Sequence, residues 1–218
     1  MKHFRSSLLI FLLTVPLTAC GLSGGPVEGQ VLEEGTGKPI PGAIVLLRWE
    51  GTWSMLVDSQ SDCYHAEAAI TDAQGRYHVP KWHEWPKGPV FTPGPMSILT
   101  YKKGYERSNE FFKKEAYRKN NDILKRTAAT REQRLEYLLN LSGEADCYTE
   151  SSKQSLLMMQ AELSREAKGL AVSAKDRIGI LWIRRRAYYS WKKTDVSLTD
   201  EEIDSLIQRD KYLREQLK

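Results

Sequence analysis

His65, His78 and His83, with Glu84 beside the last, are the side chains whose types could hold a metal ion. Zinc hydrolases carry two histidines one helical turn apart, with a glutamate between them as general base. No such spacing occurs here. His65 and Glu67 share a strand face, and His83-Glu84 lies in a stretch rich in Pro and Trp. Neither pair completes a ligand set. The sequence also lacks a glycine-rich phosphate loop and a Cys-x-x-Cys pair. No residue is therefore expected to be catalytic or to ligate a metal, no cofactor is expected, and the chain is expected not to be an enzyme.

Aromatic side chains offer a second kind of chemistry. Trp82, Trp85 and Phe91 fall within the insert Lys81 to Pro95 (KWHEWPKGPVFTPGP). Exposed indoles can stack on sugar rings or anchor a protein partner. These three residues are the candidate binding loop, for an envelope protein or glycan. The other reading of the same rings is that they cover an edge of the fold or receive helices. Arg184-Arg185-Arg186 could face anionic lipid headgroups or lipopolysaccharide, but like most charge runs it reads first as a solvated helix face.

The elements that must position these residues divide the chain in two. Val27 to Leu32, Ala43 to Trp49, Cys63 to Thr71, Arg76 to Val79 and Met96 to Tyr101 read as strands, punctuated by Gly and Pro. From Asn109 onward the strand punctuation stops and helical periodicity begins. Thr130-x-x-Gln133 is a capping box ahead of Leu135, Leu138 and Leu139, with Gly143 as its stop. Ser152 to Lys168 is a second helix, ending at Gly169. Ser173-x-x-Asp176 opens a third with Ile178 and Leu181. Thr199 and Glu202 open a fourth, whose apolar face runs from Ile203 to Leu217.

The strand region resembles the carboxypeptidase regulatory-like domain, a transthyretin-like (prealbumin-like) module. The residues that carry the likeness are Val27-x-Gly29-x-Val31, Gly37-Lys38-Pro39-Ile40-Pro41-Gly42-Ala43-x-Val45, Thr71-Asp72-x-x-Gly75-x-Tyr77 and Lys103-Gly104-Tyr105. The resemblance implies an antiparallel Greek-key β-sandwich over residues 27–108, followed by a helical region over 109–218: an α+β chain. It also implies a non-catalytic module that stiffens, spaces or binds.

Residues 1–19 read as an address. Lys2 and Arg5 precede the apolar run Leu8 to Leu17 (LLIFLLTVPL), about half the length needed to cross a bilayer. Leu17-Thr18-Ala19-Cys20 is similar to the lipobox of bacterial lipoproteins. In that family the cysteine thiol takes a diacylglyceryl group and the chain is cut just before it. Gly21 after the cut, by analogy with Gram-negative lipoproteins, implies the outer membrane, facing the periplasm. Residues 20–26 (CGLSGGP) then read as a short flexible tether.

With Cys20 lipidated, Cys63 and Cys147 remain as an even pair in an oxidising compartment, and a disulfide between them is expected. Removing Lys2 and Arg5 from the 32 basic residues leaves 30 against 28 acidic ones. That balance implies no nucleic-acid partner. The membrane, through the lipid, is the expected partner. The competing reading is an accessory subunit or enzyme that acts on envelope glycan or peptide through an unrecognised site.

Overall fold

The computed structural model describes residues 21–54, 59–84, 91–108, 120–147, 149 and 151–172, with Asp176, Ile180, Ile183 and Arg186 of a further helical stretch. The expectations for residues 1–20, for Trp85, for Arg184 and Arg185 and for the helix opened by Thr199 lie outside the described residues. Among the described residues the strands are β1 (Leu22–Gly24), β2 (Val27–Glu33), β3 (Ile44–Ser54), β4 (Ser59–Ile70), β5 (Arg76–Val79), β6 (Trp82–Glu84), β7 (Phe91–Tyr101), β8 (Tyr105–Arg107) and β9 (Asp122–Arg126). The helices α1 (Arg131–Glu144) and α2 (Lys153–Leu170) follow. The chain is α+β, with its sheets ahead of its helices.

One sheet has the order β5-β2-β9-β8 and another β4-β3-β7, while β1 and β6 form a separate ribbon. Both large sheets contribute to one core: Val27, Val31, Tyr77, Val79 and Leu124 from the first, Val45, Leu47, Tyr64 and Ile98 from the second. The second sheet has another buried face. Ile44, Leu46, Ala66, Leu99 and Tyr101 pack with Leu138 and Leu141 of α1 and Leu156, Met159 and Leu163 of α2. The order through the molecule is sheet, sheet, helices. The unbroken apolar run Ala43 to Leu47 is the local cause, because a strand covered on both faces has no polar side to alternate with.

The turn chemistry forms where expected. Ala43 N donates to Thr71 Oγ1 at 2.8 Å, and that hydroxyl donates to Ile40 O at 2.7 Å. Asp72 Oδ1 accepts from Gln74 N at 2.9 Å and Arg76 N at 2.8 Å. Gly75 has φ +70°, and an added Cβ would lie 2.7 Å from Val31 O. The Thr130–Gln133 capping box is complete. Gly143, however, lies inside α1, whose cap is Ala145.

Three expectations change. Leu22–Gly24 of the expected tether is strand β1, paired antiparallel with β6, with Leu22 opposite Glu84 and Gly24 opposite Trp82. The insert Lys81 to Pro95 contains β6 and the start of β7. The sheet region does not close at 108: β9 pairs with β2, Val31 opposite Asp122. That pairing is parallel, so the sheets are not wholly antiparallel. Parallel neighbours need a long connection, and some ninety residues of chain separate β2 from β9.

β2 passes close under its neighbours at Gly29. A Cβ there would meet Asn120 O at 2.1 Å and Tyr77 Oη at 2.5 Å, and Tyr77 Oη itself donates to Asn120 O at 2.5 Å. Gly29→Ala should lower unfolding stability by roughly 1–3 kcal/mol, the usual cost of overpacking. Denaturant titration checks it, and an unchanged midpoint would contradict this packing.

Candidate functional site

The described residues bring the notable side chains together on the β1–β6 ribbon and the strands beneath it. Trp82 does not stand out on a loop. It is 8% exposed on β6, and its ring stacks on His65 at 3.8 Å between centroids, with Trp49 edge-on at 5.1 Å. Phe91 opens β7 and meets Tyr64 edge-on at 5.0 Å. Both rings therefore belong to the packing between ribbon and sheet, which is the covering role. The pleat explains the placement: Trp82 and Glu84 point inward from β6, and His83 points out.

His65 is the centre of a polar cluster. Its Nδ1 lies 2.8 Å from Glu84 Oε1, and its Nε2 lies 3.4 Å from Glu67 Oε1, outside hydrogen-bond geometry. Ser151 Oγ donates to the same Glu84 oxygen and sits 3.5 Å from His65 Nδ1. A serine, a histidine and a carboxylate thus meet, but not as a hydrolase arranges them. In a triad the serine faces one ring nitrogen and the acid the other. Here both converge on Nδ1, and the hydroxyl donates to the carboxylate, so the ring is not placed to take the serine proton. Metal binding fails on the same geometry. The two carboxylates lie at opposite nitrogens, so one ion cannot reach all three groups. His78 is elsewhere, 3.2 Å from Glu28. Among the described residues no three His, Cys, Asp or Glu side chains form a metal-binding group. Gly21 to Gly25 spells Gly-x-Ser-x-Gly, yet Ser23 lies within β1 opposite His83, and no helix follows it as a nucleophile elbow requires.

What the cluster does is join chain segments. Ser152, at the start of α2, makes no cap bond to its own helix. Its Oγ accepts from Ala66 N of β4 at 2.7 Å. Ser155 Oγ donates to Glu67 Oε2 at 3.2 Å. Beside them Cys63 of β4 is disulfide-bonded to Cys147, as expected, across 84 residues of sequence with both cysteines buried. Further along the same seam Arg134 and Glu166 form a buried ion pair at 2.9 Å, and Tyr101 Oη donates to Glu166 at 2.7 Å. Burial and the Glu166 carboxylate push the Tyr101 phenol far above its usual range. Neither Ser151 nor the Arg134–Glu166 pair carries a sequence signal, because each is defined only by a partner far along the chain.

A second polar group lies between β7, β8, β9 and α1. Asp122 is fully buried, and burial raises its carboxyl above the ordinary value of 3.8. Thr100 and Arg107 lie near it and line a small cavity of about 190 Å³ with Tyr137 and Asn140.

Fold and site together define a class: a disulfide-braced α+β protein of two facing sheets backed by helices, whose clustered polar side chains lock segments to each other. No protein-family model, curated protein or solved structure matches the chain.

Trp82→Ala should cost about 3–5 kcal/mol of unfolding free energy, as for other buried aromatics; a loss below about 1 kcal/mol would return the indole to the surface. The raised Asp122 carboxyl carries a sign. The unfolded chain releases this proton at lower pH than the folded one, so native stability should fall as pH rises from 3.8 toward the folded value. Asp122→Asn should remove that part of the pH profile, read from melting temperatures across the acid range.

Proposed function

We propose that this chain is a non-enzymatic lipoprotein of the cell envelope, anchored through a diacylglyceryl thioether at Cys20 after loss of residues 1–19. The folded part is a binding or structural module. The observation that carries the reading is the buried Cys63–Cys147 disulfide. It accounts for two of the three cysteines and suits an oxidising compartment. The third is the one at the end of Leu17-Thr18-Ala19-Cys20. Two or more acyl chains, at roughly 0.8 kcal/mol per buried CH₂, hold a protein firmly to a bilayer. Gly21 directs it to the outer membrane, on the periplasmic side.

Its likeness to the carboxypeptidase regulatory-like module supports a non-catalytic role, as does a histidine cluster whose geometry suits neither proton transfer from serine nor metal binding. The partner class is an envelope protein or glycan. Cys20→Ala should move the protein from the membrane to the soluble fraction, and the wild-type chain should show a mature mass beginning at acylated Cys20. Continued membrane retention of the variant would overturn the proposal.

A further inference from the structure

Six residues, Gly21 to Pro26, read as a tether, and fully extended they would let a domain stand about 20 Å from its anchor. The fold takes that slack away. Leu22 is buried in the core between the sheets, and its backbone pairs with Glu84. Even Gly21 is held close: a Cβ there would lie 2.0 Å from His83 Cε1. Between the Cys20 thioether and the first core side chain there remain two Cα–Cα steps, a reach of about 7 Å.

We infer that the outer side of the β1–β6 ribbon lies directly against a lipid headgroup surface, so that the domain has a fixed orientation and not a free swing. The inference rests on the lipid anchor at Cys20. The pleat says what the ribbon presents. Leu22 and Trp82 point into the core, and the exposed positions are Ser23, Lys81 and His83. A polar side with a cation suits contact with headgroups, including anionic ones, and not insertion among acyl chains. Glu84, the acidic residue of the ribbon, is turned inward to His65 and Ser151. The far end of the molecule follows from the strands. His65 touches the ribbon, and β4 runs on to Ile70, about 17 Å further, before the Asp72–Gly75 turn. That turn projects away from the bilayer, into the space where a partner is met.

The test uses the full-length acylated protein in phosphatidylethanolamine–phosphatidylglycerol vesicles that contain a nickel-chelating lipid. A nitroxide is placed at His83→Cys or at Ala73→Cys. Ser23→Cys, on the paired strand, serves if the first variant folds poorly. Relaxation by headgroup nickel should be several-fold stronger at 83 or 23 than at 73. A Gly/Ser spacer of about twenty residues between Gly21 and Leu22, with a root-mean-square reach of about 25 Å, should bring position 83 down to the level of position 73. Equal relaxation at both positions in an acylated, vesicle-bound protein overturns the apposition alone, as does a spacer without effect. A mature chain that carries no acyl group overturns the reading of Cys20 and the apposition with it.

Discussion

Strand β3 has no solvent side over its first half, and the architecture is organised around that fact. Ile44 and Leu46 face the helices, and Val45 and Leu47 face the opposite sheet; all four are buried. Each such side chain contributes roughly 1.5–3 kcal/mol by leaving water, but only if both faces are covered. A single sheet cannot do that. The four-stranded sheet therefore has to close one side, and α1 with α2 the other. Because both faces of β3 are apolar, its own pattern does not forbid a slip of one residue. Its neighbours set the register. Ala66 and Ala68 on β4 leave room for α2, and the irregularity beyond Trp49 turns Tyr64 to the inter-sheet side and Cys63 to the helical side.

Helices laid on a sheet by apolar contact alone can slide, and polar links restrict that movement. The Cys63–Cys147 bond fixes the approach to α2 against β4, and closing a loop of 84 residues stabilises by roughly 4 kcal/mol in the chain-entropy picture. Arg134 and Glu166 pin α1 to α2, while the same guanidinium donates to the carbonyl oxygens of Lys102 and Tyr105 in the β7–β8 turn. β4 is also a sheet edge with outward-facing amides. Ser152 accepts from one of them at Ala66, which closes part of an edge that would otherwise invite another strand.

The His65 cluster belongs to this same system of links. An imidazole buried beneath Trp82 requires polar company, since an unsatisfied buried polar group costs about 1–3 kcal/mol. Glu84 on the ribbon supplies it and in turn accepts from Ser151. One carboxylate thereby connects the ribbon, the edge strand and the approach to α2. The ribbon begins two residues after Cys20, so a force applied at an anchor there would pass into the core without an intervening flexible segment.

Local chemistry made much of this legible in the sequence. The Asp72–Gly75 turn, the Thr130–Gln133 box, the strands from β2 to β5 and the two helices each follow from residues within a few positions of one another. The disulfide was legible by counting, on the expectation that Cys20 is lipidated: three cysteines less that one leave a single pair. Residues 109–218 looked wholly helical, yet they contain β9, whose short Asp122–Arg126 segment has little to mark it beyond its place beside β2. Gly21 to Pro26 looked like a tether because its composition is that of one; only pairing with β6 makes part of it a strand. Trp82 could be read as an exposed ring or as cover for an edge of the fold, and His65 had only Glu67 of its own strand as a local neighbour. In every such case the deciding partner is supplied by a distant segment. Turn and cap energies are set by nearest neighbours in sequence, whereas burial and strand pairing are set by what lies opposite in space, and only the assembled fold specifies that.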